Sequence, residues 1–408
     1  MKIDRITFYK YGIYVIILLN LGCLNFIFHS FFISVALSLL ISVVLFITYL
    51  LQKDKYRINS LCLKIYVFME LIILFIEYFR IQNNFNSAMT NRELFGPFGT
   101  ILLLVISFPA VEVLNKESDR FLKGIAIIGY SVLFLRFTVW FMYNFLHINF
   151  GFEYMGGRIT WLRPLFNGML LTRTMGTFID GYLMVYSSVN LYLKRKEWKK
   201  YILGIAFLLF YEAIVFQSRS QFLFFILTFI FTSLVSAHFS KYKLLKLLTL
   251  LLVILCITVI FFNNIQAFVD SFSTNSQYGE STLTRVLEYT FFSNLWKNTS
   301  LFLGFGMTQD IFELGMNKLY LSDLGLIAVL YQFGIIGFII SIMPFLQGII
   351  LSVKRWYQSW VTKIDYFTIV LTFYLLISSF NLNPYNYVFF PILPIYLGIF
   401  FLKEVKEK

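Results

Sequence analysis

The chain has 408 residues, of which 59% are hydrophobic and 20% aromatic, and only 13% are charged, with a formal net charge of +13. A water-soluble domain keeps about a quarter of its residues charged, so this chain has too little polar surface to cover itself in water and belongs in a bilayer. The positive balance would suggest nucleic acid in a soluble protein; here it follows from the bias of Lys and Arg toward cytoplasmic loops. Cys23, Cys62 and Cys256 lie in apolar runs without metal-ligand spacing, and read as small core residues. The sequence carries no haem or zinc signature, no Walker loop and no dinucleotide fingerprint. No cofactor, no metal and no nucleic-acid partner is expected.

The basic start "MKIDRITFYKYG" leads into a long apolar run with no small-residue cleavage site, and reads as the approach to a first membrane span. About 20 apolar residues cross the hydrocarbon core as a helix. In those units the chain divides into spans at 11–30, 31–51, 60–79, 94–114, 121–147, 168–193, 201–217, 219–237, 244–262, 322–352, 365–381 and 384–402. The expected fold is an all-α polytopic membrane protein of about 12 transmembrane helices, one membrane domain over 1–408. The sixth span is interrupted by Arg173 and Asp180.

With that count, "QKDKYR", "NKESDRFLK", "KRKEWKK", "SKYKLLK", "KRWYQSWVTK" and the tail "KEVKEK" share one side with both termini. Their cations make that side cytoplasmic. The opposite side carries Arg80, Arg92, Arg158, Arg163, Arg219 and Arg285, with Lys297 and Lys318 as its lysines. Topology needs only positive charge. Guanidinium adds a planar fork of donors that matches phosphate and never deprotonates, so the outer face reads as a phosphate-recognising surface.

The longest connection, 263–321, is external, and a loop of this length is usually functional. Within it Val286, Tyr289, Phe292 and Trp296 recur at helical spacing, with Ser281 or Thr282 as a cap and Arg285 in the first turn. Upstream, "FQSRSQF" separates two spans so tightly that Arg219 sits at or just below the interface. Interfacial snorkelling explains such an arginine. Ser218 and Ser220 with the free N–H groups of a helix start would also make an anion seat. Arg285 reads either as a solvated charge paired with Glu288 or as a second anion contact. Asp323 reads as a helix cap or first-turn acid, and the glycines at 325, 334 and 337 as close-packing positions.

In order, an arginine opening a helix after a tight external turn, a second arginine on the large loop, "LFLGFG", and a polar residue eleven before "GIIG" resemble the Wzy-type polysaccharide polymerases and their relatives, the O-antigen ligases. The motif evidence covers roughly 205–340; span count and topology extend the likeness over the whole chain. The resemblance implies a GT-C-like membrane glycosyltransferase of the inner membrane, building O-antigen, capsule or exopolysaccharide. Its donor and acceptor would be undecaprenyl-pyrophosphate-linked oligosaccharides, with a flippase and a chain-length regulator as partners. Arg219 matches the family's Ser-Arg-Gly arginine, with Ser220 in place of glycine, and Arg285 matches the arginine of the large loop. Gly304-Phe305-Gly306 matches the small glycine element, and Gly334 and Gly337 the pair ending the family's histidine motif. Asp323 stands where many ligases carry histidine, so a carboxylate would have to serve as the proton acceptor.

Arg158 and Arg163 in "GGRITWLRPLFNG" are further phosphate or acceptor contacts, and Trp161, Tyr278 and Tyr289 are candidates for sugar stacking. Arg136, Arg173, Asp180 and Glu212 would be costly inside a bilayer unless paired, and structural pairing is the favoured reading over a lateral portal for the lipid headgroup. His29, His147 and His238 fall near span ends and read as interfacial. Three rival functions stay open: an O-antigen ligase, a flippase or other polysaccharide transporter, and a non-catalytic partner of a synthesis complex.

Overall fold

The computed structural model describes residues 4–23, 25, 31–52, 61–83, 99, 101–164, 170–245, 247–249, 251–252, 266, 269–270, 273, 279–307, 311–314, 317–358, 361–381 and 392–402. The protein is mostly helical. Among the described residues four helical segments are long and apolar enough to cross a membrane: Phe32–Leu50, Leu103–Phe145, Arg219–His238 and Leu326–Trp356. An all-α membrane protein fits this composition; the expected count of about twelve spans is not reached. Several expected spans are helices too short for a full crossing, and 244–262 and 384–402 lie largely outside the described residues.

Helix α1 (Arg5–Asn20) packs antiparallel to α2 (Phe31–Leu50). Asn20 Nδ2 donates to Ser38 Oγ at 2.7 Å, and Ser34 Oγ donates to Asn25 Oδ1 at 3.0 Å. Small and hydroxyl-bearing residues thus join two apolar helices where hydrophobicity alone gives no preference between helix and lipid. Helix α3 (Leu61–Asn83) follows. A 3₁₀ turn (Leu103–Ile106) then runs into α4 (Ser107–Phe145), which is broken at Glu117 (φ −134°, ψ 41°). Contacts on the two sides of the break run in opposite directions. Gly99 lies against Val35 and Leu39, and Glu112 reaches Gln52 and Arg5. Past the break, Lys10 binds Glu117 at 2.7 Å, and the Tyr14 hydroxyl donates to the Phe121 carbonyl at 3.2 Å. The chain therefore reverses near Glu117, where the sequence reading placed a loop between the spans 94–114 and 121–147.

The expected span at 168–193 is a correction. Strands β1 (Gly157–Pro164) and β2 (Leu170–Thr174) form an antiparallel hairpin, and helix α5 (Phe178–Leu193) starts only afterwards. Thr177 and Asp180 form a capping box that fixes the helix start. Thr172 is held to α4, its N–H donating to Asn144 Oδ1 at 2.9 Å and its carbonyl accepting from Trp140 Nε1 at 2.7 Å. Helix α5 is buried from Phe178 to Asn190 and packs against α4, α6 (Trp198–Phe210), α7 (Arg219–His238) and α10 (Lys363–Ser378). It forms the centre of the bundle.

Helix α8 (Gly279–Lys297) confirms a helix within the long connection and is followed by a second hairpin, β3 (Ile311–Leu314) and β4 (Asn317–Tyr320). A 3₁₀ turn (Leu321–Leu324) leads into α9 (Leu326–Trp356); α11 (Leu393–Phe400) closes the described chain against α4. Helix α9 is broken at Gly334 (φ 65°, ψ −166°), a conformation open essentially to glycine alone. The break frees backbone groups, and the turn 300–306 satisfies them. Phe305 N–H donates to the Tyr331 carbonyl (3.0 Å) and Gly306 N–H to Gln332 (2.8 Å). In return Ile335 N–H donates to Leu301 (3.1 Å) and Ile336 N–H to Phe302 (3.2 Å). A Cβ at Gly334 would stand 2.3 Å from the Phe302 backbone, and one at Gly304 2.3 Å from the Gln332 carbonyl oxygen. The two glycine motifs of the sequence are halves of one lock.

Gly334→Ala is expected to lower stability by roughly 1–3 kcal/mol from backbone strain, with the clash adding to it. Thermal unfolding of the detergent-purified protein measures this, and an unchanged transition would show that the lock contributes nothing.

Candidate functional site

Arg219 owes its position to an irregular piece of backbone. Helix α6 widens into a π turn (Tyr211–Phe216), Gln217 turns left-handed (φ 55°), and Ser218 is extended. The Glu212 carbonyl accepts Ser218 N–H at 3.2 Å, and Ser218 Oγ accepts Gln221 N–H at 3.3 Å. Arg219 is thus the first residue of α7, half-buried, behind a serine cap. Both flanking serines are engaged by the protein, since Asn381 Nδ2 donates to Ser220 Oγ at 2.6 Å. Gln221 Nε2 donates to the Tyr374 hydroxyl at 2.5 Å. The start of α7 is therefore tied at two points to α10 and the turn after it.

The turn that carries Asp323 leads into a helix start bonded to that same turn after α10. Asp323 lies in the 3₁₀ turn before α9, half-buried, and Leu326 N–H donates to the Ser379 carbonyl at 2.8 Å. The residue at the N-cap of α9 is Gly325, so Asp323 does not cap that helix. Residues 379–381 accordingly hold both the helix start that carries Arg219 and the turn that carries Asp323.

Arg285 stands on α8, which lies over the Asp323 turn and β4. The buried stripe of α8 is shifted from the expected one. Phe292 and Glu288 are fully buried and Leu287, Phe291, Leu295 and Trp296 pack partly, whereas Val286 is 53% and Tyr289 37% exposed. Ser281 and Thr282 fall inside the helix, which begins at Gly279, and do not cap it. Glu288 turns inward, Oε1 accepting Tyr320 N–H at 2.8 Å, so its carboxylate anchors β4. Among the described residues Arg285 takes part in no ion pair. It lies near Tyr289; burial pushes the Tyr289 hydroxyl up from its usual range, with Arg285 partly opposing. Tyr289 is therefore a neutral hydrogen-bond donor around pH 7.

Arg158 and Arg163 stand on β1, opposite Arg173 and Leu171 in register. Their partner strand β2 meets the π turn that precedes Arg219, where Thr174 Oγ1 lies 3.3 Å from the Tyr211 hydroxyl. Trp161 also lies on β1, and Tyr278 is outside the described residues. Arg136 is structural, its Nη1 donating to the Met175 carbonyl at 2.9 Å. His238 stacks on Trp356 at 4.0 Å between ring centroids.

Arg80, read from sequence as one of the outer cations, is a clamp. It binds Glu77 Oε1 at 2.6 Å and donates to the Leu303 and Gly304 carbonyls at 2.7 and 2.8 Å, while Met307 N–H donates to Glu77 Oε2 at 2.8 Å. Glu77 was missed; an acid three residues before an arginine in an apolar helix was the available signal. Asn381 and Ser379 carried no local signal.

No known protein family, curated protein or solved structure matches this chain.

Arg80→Ala is expected to leave the helices intact and to speed amide exchange of residues 300–307, read by hydrogen–deuterium exchange mass spectrometry. Protection equal to the parent would mean that α9 alone holds the turn.

Proposed function

We propose that the protein is a membrane glycosyltransferase that polymerises lipid-pyrophosphate-linked oligosaccharide repeat units at the outer face of the cytoplasmic membrane. The observation that carries this reading is the 379–381 turn, which ties the helix start bearing Arg219 to the turn bearing Asp323, with the helix of Arg285 packed over the latter. Two guanidiniums and a carboxylate from three distant stretches thus belong to one connected end of the fold.

In this reading the acceptor hydroxyl oxygen forms a bond to the anomeric carbon of the donor sugar as the bond from that carbon to the pyrophosphate oxygen breaks. Asp323 accepts the hydroxyl proton and passes it to solvent, and the lipid pyrophosphate departs with the bonding electron pair. Negative charge grows on the leaving oxygen, so Arg219 and Arg285 act most strongly in the transition state. Displacement in one step inverts the anomeric configuration. Tyr289, a neutral donor with one face exposed beside Arg285, suits a contact with the sugar or the phosphate. Arg158 and Arg163 belong to a second arginine-bearing strand suited to the acceptor's phosphates. Both termini lie on the cytoplasmic side, as the lysine-rich connections require.

The test is the purified full-length protein in liposomes with lipid-linked repeat units and no nucleotide sugar. Longer glycan is expected, and it should persist in a metal chelator. Arg219→Ala and Arg285→Ala should each lower the rate by roughly 10²–10³-fold, the cost of one oxyanion-type contact, and Asp323→Asn should remove most of the rate. Elongation that survives both arginine changes would end this reading.

A further inference from the structure

Asp180 and Glu212 take no part in the reaction above. Asp180 is 1% exposed, and its carboxylate accepts Gly181 N–H at 2.7 Å and Thr177 N–H at 3.4 Å. Glu212, 0% exposed, projects from the π turn, and its carboxyl faces that of Asp180. Neither Glu212 oxygen meets a donor among the described residues. Four further polar groups surround the pair: Arg136 from α4, Tyr211 from the π turn, Tyr374 from α10 and Tyr396 from α11. Each has a partner elsewhere through one atom, and Arg136 Nε meets no acceptor among the described residues. Arg136 Nη1 is on the Met175 carbonyl, Tyr211 is on Thr174, Tyr374 accepts from Gln221, and Tyr396 donates to the Phe178 carbonyl at 3.4 Å.

Two carboxylates facing each other away from water repel strongly, and Arg136, the one guanidinium acting on Asp180 among the described residues, leaves the cluster one negative charge in excess. A buried net charge is far more costly than a buried pair. The missing element is one positive charge that also supplies a hydrogen-bond donor between two acceptors. We propose that the Asp180–Glu212 pair is a buried proton-binding site, in which one exchangeable proton bridges the two carboxyls and brings the cluster with Arg136 to neutrality. The backbone carbonyl of Glu212 also closes the turn before Arg219, so the pair and that arginine share one piece of irregular backbone. The site is independent of the polymerase reading, since its readouts need no substrate.

The charge count is tested with the full-length protein in detergent. Glu212→Gln and Asp180→Asn each keep the cluster neutral and should melt with the parent. The double variant leaves Arg136 uncompensated and should melt lower, and adding Arg136→Met should recover part of the loss. Infrared spectra at neutral pH should show one protonated-carboxyl absorption in the parent that is missing from Glu212→Gln. A melting temperature of the parent that rises when sodium replaces choline at constant ionic strength would assign the charge to a metal cation and overturn the proton. Equal carboxyl absorption in parent and Glu212→Gln would overturn it as well, and so would single variants that melt well below the parent.

Discussion

A helix broken inside an apolar bundle exposes amides and carbonyls that water does not reach, and each must find a partner within the protein. This constraint shapes the end of the molecule where the candidate residues gather. At Gly334 the partners come from the turn 300–306, which both donates to and accepts from the two halves of α9. At the other irregular point, the π turn before Arg219, the Glu212 carbonyl collects the N–H of Ser218 and a serine hydroxyl caps the next helix. Non-helical backbone is thereby kept at both of these places, and each adjoins residues singled out for chemistry.

The two irregular places are joined by a third element without any sequence motif. The turn after α10 accepts the first N–H of α9 through Ser379 and donates to Ser220 through Asn381. The central helix α5 lies beneath, and the Arg80–Glu77 clamp holds the glycine turn from the side. Such connectivity fixes the elements that carry the arginine and the carboxylate, through side-chain bonds at the start of α7 and a backbone bond at the start of α9. On the proposed reading, charge appearing briefly on a leaving oxygen would be met by donors already in place.

Much of the framework was legible in the chain. Expected spans at 31–51, 219–237 and 322–352 match helices because uninterrupted apolar runs leave the backbone no alternative but internal hydrogen bonding. The failure at 168–193 has a physical reason that was also present in the sequence. Arg173 and the Thr177–Asp180 pair are a strand position and a helix cap, and an apolar tally averages over both. The stripe on α8 was read from apolar residues at helical spacing, of which Phe292 and Trp296 pack inward and Val286 and Tyr289 do not. Instead Glu288 is buried, because β4 offers it the N–H of Tyr320.

Sequence alone determined that the chain is apolar and mostly helical, as an all-α membrane protein would be, since these depend on local hydropathy and on residue counts. Sequence also marked Arg219, Arg285, Asp323 and the paired glycines as unusual. It did not determine which of them meet. The contacts that decide this, Ser220 with Asn381, Arg80 with Gly304, Gly304 with Gln332 and Asp180 with Glu212, join residues remote along the chain. No local pattern encodes such a pair, because each half has an ordinary structural explanation until the fold brings the other against it.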